Sequence, residues 1–251
     1  MGYKVKTVMR FAIVFVLLMS MGCSKEEVIG YEDLEDYIGL HRLDDENDVI
    51  ACAASAKDDS GNTLVFFYPI PGATEYKCFE TKDVTGDKDN LSLYTEIELP
   101  LEPVFNGYLQ RFVRSSLIET YCIVTYKVNG ELRTSQPIRL KQLTNPTEWT
   151  QEVEIDFSQN TNPEFSWNDG QIDENAIYFQ VVTDAQNNLL SGTYTYEKLF
   201  TYYNLENVVL NVTRENPPSL LSNNSYSFTM MGVSLDNWVN LVIQKDFQIP
   251  N

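Results

Sequence analysis

The chain has 251 residues, 36 of them acidic and 18 basic, and so carries a formal charge of −18 at neutral pH. Such a field repels phosphate backbones, whose binding rests on neutralisation by Lys and Arg, and it excludes nucleic acid as a partner. With 43% apolar and 12% aromatic residues, the bulk is too rich in core-forming side chains for intrinsic disorder, and the length suits one large or two ordinary domains.

The N-terminus opens on Lys4, Lys6 and Arg10, continues with an apolar run from Phe11 to Met19, and passes through Ser20, Met21 and Gly22 to Cys23. A charged stretch, a short apolar stretch and small residues before a cut make a secretory signal. The run falls well short of the roughly 20 residues that span a bilayer. With cysteine directly after the cut, the pattern resembles a bacterial lipoprotein signal. It is similar to the looser Bacteroidota form, in which Ser20 is tolerated where other such signals carry Leu. The resemblance implies that residues 1–22 are a signal peptide and that Cys23 is lipidated, giving a membrane attachment through the lipid. Ser24-Lys25-Glu26-Glu27 resembles the tag that directs lipoproteins of that phylum to the outer face of the outer membrane, which implies a lipid-anchored cell-surface protein. Two or more acyl chains attach stably where one binds reversibly.

Residues 23–47 are dominated by Asp and Glu, and charge repulsion keeps such a segment extended and solvated. They are expected to be a lipidated acidic tether. The helical spacing of Leu34, Tyr37 and Ile38 allows a short helix around Tyr31–Leu40.

From Val49 onward, apolar runs of strand length alternate with turn clusters such as Asp58-Asp59-Ser60-Gly61-Asn62 and Pro69-Ile70-Pro71-Gly72. Asn129-Gly130 marks the strongest hairpin, because a type I′ turn needs positive φ at both central residues. Regular short strands without helical spacers indicate a β-sandwich. Thr63–Pro69, Glu75–Thr81, Tyr121–Val128 and Ser135-Gln136-Pro137-Ile138 resemble strands B, C, F and G of a fibronectin type III domain over residues 48–143. After the linker Thr144-Asn145-Pro146-Thr147, a second set over residues 151–251 is similar in order: Phe165-Ser166-Trp167-Asn168, Ala176–Asp184, Tyr226–Met230 and Trp238–Phe247. The resemblance implies an all-β chain of two tandem immunoglobulin/fibronectin type III-like β-sandwiches, the second more divergent.

Chemistry is sparse. His41 is the only histidine, and it falls in the expected tether, where no nucleophile can be held beside it. Cys52, Cys78 and Cys122 lack metal-ligand spacing; as an odd set they allow at most one bridge, or all three are buried thiols. Asp83, Asp87, Asp89 and Asn90 cluster oxygen atoms without EF-hand spacing and read as a polar loop. No enzyme activity and no cofactor is expected. Aromatic side chains form the remaining constellation: Tyr194, Tyr196, Phe200, Tyr202 and Tyr203 fall close together, and Trp238 follows Asp236-Asn237. Flat faces beside amides and carboxylates suit sugar rings, while strands also favour Tyr and Phe for packing. Tyr194, Tyr196, Tyr202, Tyr203 and Trp238 are the candidate ligand-binding residues. The expected function is a non-catalytic glycan- or polymer-binding surface lipoprotein, which resembles the accessory lipoproteins of Bacteroidota polysaccharide-utilisation systems. The alternative is a structural or adhesion lipoprotein with a protein partner.

Overall fold

The computed structural model describes residues 30–43, 48–58, 60–159, 161–172 and 174–251. Cys23, the expected signal peptide and the Ser24–Glu27 stretch lie outside the described residues. Tyr31–Asn251 form one compact unit.

The segment expected to be a solvated tether is docked from Tyr31 onward. Helix α1 (Leu34–Gly39) is capped by Asp33, whose side chain accepts from the Asp36 N–H at 3.0 Å. Its apolar side, Leu34 and Tyr37, is buried with Phe79, Tyr94, Ile123 and Leu132. The Leu34 N–H donates to the Tyr94 carbonyl at 2.9 Å and the Leu132 N–H to the Arg42 carbonyl at 2.8 Å. Burial of large side chains on one side of the helix offsets repulsion among carboxylates that face water on the other.

The N-terminal half supplies β1 (Ala51–Ser55), β2 (Thr63–Phe67), β3 (Ala73–Glu80), β4 (Thr95–Ile97), β5 (Leu101–Val104), β6 (Leu109–Arg114), β7 (Tyr121–Val128), β8 (Glu131–Thr134) and β9 (Ile138–Arg139). They form one sheet in the order β1-β2-β6-β5 and a second in the order β4-β3-β7-β8, with β9 also paired to β7. Lettered along the chain this is A-B-E-D against C′-C-F-G, a fibronectin-like topology of the immunoglobulin type. Between β7 and β8, Asn129 has φ 52° and Gly130 φ 84°, the pair of positive angles the hairpin turn requires.

The C-terminal half supplies β10 (Glu148–Thr150), β11 (Glu154–Asp156), β12 (Glu164–Ser166), β13 (Ile177–Asp184), β14 (Leu189–Thr195), β15 (Leu199–Thr201), β16 (Val208–Asn211), β17 (Ser225–Val233) and β18 (Val239–Gln248). They make a six-stranded sheet, β10-β18-β17-β13-β14-β16, over a three-stranded one, β11-β12-β15. Strand β10 runs parallel to β18, and the other pairings are antiparallel.

The sequence reading sets the two sheet pairs in tandem; in the structure they stack face to face. On β2, Val65 and Phe67 enter the core of the N-terminal pair, while Leu64 and Phe66 enter an apolar layer shared with Phe179, Val181, Met231 and Val242 of the C-terminal half. Strand β17 divides its side chains the same way, with Phe228 and Met230 on the C-terminal core and Met231 and Val233 on the shared layer. A strand buried on both faces reads as a continuous apolar run rather than an alternating one, which is the pattern of Leu64-Val65-Phe66-Phe67. The linker is pinned within this stack. The Thr147 N–H donates to Ser55 Oγ at 3.2 Å, the Ser55 N–H donates to Thr147 Oγ1 at 2.8 Å, and Trp149 Nε1 donates to the Ser55 carbonyl at 3.0 Å.

Candidate functional site

The aromatic residues proposed as a sugar platform do not share a surface. Trp238 is 0% exposed and lies in the core of the N-terminal sheet pair with Val65, Phe67, Val124 and Tyr126. Its position follows from the chain path: Ala53 bridges to Trp238, and the Ala53 N–H donates to the Asn237 carbonyl at 3.0 Å, so the approach to β18 is threaded past β1. Tyr202 is buried in the C-terminal core, with its hydroxyl donating to the Pro218 carbonyl at 2.7 Å. Tyr203 is half-buried, and its hydroxyl accepts from Asn211 Nδ2 at 2.7 Å. Tyr194 packs on Phe179 with ring centroids 4.5 Å apart, in the layer between the two halves. Tyr196 alone is open to solvent, at 67% exposure. The platform is corrected by the chain path: only Tyr194 lies within a strand, and the turns that carry Tyr196, Tyr202, Tyr203 and Trp238 take their rings to different surroundings.

The candidates for catalysis and metal binding are likewise spent on structure. His41 Nδ1 bonds with the Tyr37 carbonyl at 2.7 Å, and the ring lies against Tyr37. Asp83 Oδ1 accepts from the Thr85 N–H at 2.8 Å and from the Thr85 hydroxyl at 2.6 Å, Asp87 Oδ1 from the Asp89 N–H at 3.0 Å, and Asn90 Oδ1 from the Ser92 N–H at 3.2 Å. Each side chain closes its own turn. Among the described residues no group of His, Cys, Asp or Glu is placed to hold a metal ion. Cys52, Cys78 and Cys122 are free thiols. Burial pushes the Cys52 thiol up to about 12, and a hydrogen bond with Cys78 together with burial raises Cys122, so neither supplies a thiolate nucleophile at neutral pH.

Loops that hydrogen bonds tie to one another carry large exposed aliphatic side chains. Leu117 and Ile118 lie between β6 and β7, Leu143 lies between β9 and β10, and Leu235 lies in the turn between β17 and β18. Each is more than half exposed, Leu235 at 89%. Buried polar groups hold these loops together. Arg114, 2% exposed, donates from Nε to Glu80 Oε2 at 2.6 Å, from Nη1 to the Ser116 carbonyl at 2.6 Å and from Nη2 to the Ile118 carbonyl at 2.9 Å. Glu119 Oε1 accepts from the N–H groups of Leu143 at 3.0 Å and Thr144 at 2.8 Å, and its Oε2 accepts from Arg139 Nη2 at 3.0 Å. The Arg139 N–H donates to the Asp236 carbonyl at 2.9 Å, and Lys141 pairs with the Asp236 carboxylate at 2.6 Å. Burial alone would raise both carboxyls. The donors around Glu119, and the Lys141 and Ser234 hydrogen bonds at Asp236, outweigh it and hold both below the usual range.

The result is a set of exposed aliphatic side chains on loops braced by buried polar groups. Sequence reasoning passed over it because Leu117, Ile118, Leu143 and Leu235 are single apolar residues inside turn clusters. Their signal is that a turn with no core to face carries a large aliphatic group at all.

No family model matches the chain, and no curated protein matches it. Among solved structures it is similar to the chicken CNTN1 FN1-FN3 domains, with a TM-score of 0.30 and 11% identity over 84% of this chain and 69% of that one.

Proposed function

We propose that this chain is a non-catalytic surface lipoprotein that works in adhesion or as a structural component, engaging a protein partner through the aliphatic loop end. In this reading Cys23 carries the lipid, Ser24–Glu27 directs display on the outer membrane, and two immunoglobulin/fibronectin type III-like sandwiches present the loops. The observation that carries it is the set of exposed Leu117, Ile118, Leu143 and Leu235 side chains on loops braced by Arg114 and Glu119. Loops at the end of a rigid sandwich are the usual seat of recognition in such folds, and clustered exposed aliphatic groups mark interaction surfaces. Dispersal of the aromatic cluster into separate layers removes the motive for glycan as the partner. Among the described residues no helix is long and apolar enough to cross a membrane.

The test is retention of bacterial or host cell-surface material on the immobilised chain. Loss after the material is protease-treated, persistence after its glycans are stripped, and loss with Leu143→Asp and Leu235→Asp together support the reading. Retention that survives protease but not glycan removal overturns it. Intact mass of the exported chain tests the anchor: Cys23→Ala should lose the acyl mass and leave the membrane fraction.

A further inference from the structure

The stacking of the two halves leaves a cavity of about 250 Å³ between them, just below the roughly 300–1,000 Å³ of small-molecule sites. One wall is the outer face of β1 and β2, with Cys52 and Phe66. The other is the six-stranded sheet, with Phe179, Tyr194 and Met231. Behind the lining residue Tyr68, the Arg214 guanidinium lies 5.3 Å over the Tyr68 ring and 4.3 Å over that of Tyr108, and it donates to the Pro69 carbonyl at 2.9 Å.

We propose that this cavity binds an uncharged, mostly apolar small molecule that carries one hydrogen-bonding group. The lining selects for that class. No Lys or Arg is among the lining residues, and the one charged residue there, Asp48, is paired with Arg133; an anionic ligand would meet no cation on the walls, in a chain of net charge −18, and a cationic one would be stripped of water against apolar walls. Tyr194 and Cys52 both line the cavity and bring a hydroxyl and a thiol to its otherwise mostly apolar walls. A neutral hydroxyl or carbonyl on the ligand can bond with them, and its chain or ring fills the space between Phe66 and Phe179.

Adjacent methionines give a built-in test. Met231 lines the cavity, while Met230 faces the C-terminal core on the opposite side of β17. With ¹³C-methyl methionine in the full chain, titration with octanol should shift the Met231 methyl resonance saturably and leave Met230 in place, while octanoate at the same concentration should shift neither. Tyr194→Phe should weaken octanol about fivefold. Cys52→Phe, which fills the space, should abolish the Met231 response; if that variant does not fold, Tyr194→Phe decides. A Met231 signal that does not move, a Met231 shift shared by Met230 or equalled by octanoate, or an octanol affinity unchanged in Tyr194→Phe overturns the assignment.

Discussion

Trp238 Nε1 donates to the carbonyl of Asn145 at 2.8 Å, so a residue at the start of the last strand is bonded to the linker while its ring fills the core of the opposite sheet pair. Together with the shared apolar layer, this makes the two halves a single mechanical body. It keeps the loop end in one arrangement, with Leu143 just before the linker and Leu235 on the turn beside Trp238.

Trp238→Ala should therefore cost about 3–5 kcal/mol, the range for truncating a large buried aromatic, and should lower the unfolding of both halves together. Calorimetry checks this. A single transition displaced downward is expected, whereas two separate transitions with only the C-terminal one displaced would refute the shared core.

Arg114 makes a second test of the frame. Removing it as Arg114→Met takes the cation from Glu80, which keeps the Thr120 hydroxyl at 3.3 Å, and leaves the Ser116 and Ile118 carbonyls with the longer bonds from Gln142 Nε2 at 3.3 and 3.5 Å; breaking such a pair costs about 3–5 kcal/mol. Changing Glu80→Met as well should recover part of that loss, because the stranded charge goes with it. Denaturant unfolding of the single and double variants measures the difference, and a double variant no more stable than Arg114→Met would sink the account.

Strands such as β2, β3, β7, β13, β17 and β18 were legible from residue pattern; the short strands of residues 95–114 and layer assignment were not. Val128-Asn129-Gly130-Glu131 is a local signal, fixed by which residues tolerate positive φ, and it places β7 and β8 correctly. The path of Trp238 into the other half depends on pairing between Ala53 and a residue far along the chain, which no local spacing encodes. The same limit scattered the tyrosines: Tyr194 and Tyr196 share strand parity, yet Tyr194 meets the shared layer and Tyr196 runs past the end of β14 into solvent. For Leu64-Val65-Phe66-Phe67 the signal was present, since a continuous apolar run states that both faces are covered.

The docked N-terminal segment gives a third prediction. Tyr37 is buried against Phe79, with ring centroids 5.3 Å apart, and carries much of the apolar side of α1. Tyr37→Ala should detach residues 31–43 and open the Arg42 bond to trypsin, while the sheets keep their protection. Limited proteolysis read by mass spectrometry checks this. Equal cleavage after Arg42 in both proteins would return the segment to a solvated tether.

The last prediction uses pH. Glu119 holds Leu143, Thr144 and Arg139 together, and those donors outweigh burial to keep its carboxyl below the ordinary value. A carboxyl whose folded value is depressed contributes stability above its unfolded value, about 4.3 for Glu, and loses that contribution as pH falls through the lower folded value. Glu119→Gln should thus be less stable than the parent at pH 7, by about 1 kcal/mol. The gap should hold down to about pH 5, narrow below the unfolded value of about 4.3 and close once the pH passes the lower folded value, because protonation then brings the parent to the state the variant already has. The remaining carboxylates titrate in both proteins, so the difference between two urea series isolates this one group. A gap that stays constant to pH 3 would show that the Gln variant has lost packing rather than charge. A gap that widens as the pH falls would reverse the sign of the argument and remove Glu119 from the frame of the aliphatic loop end.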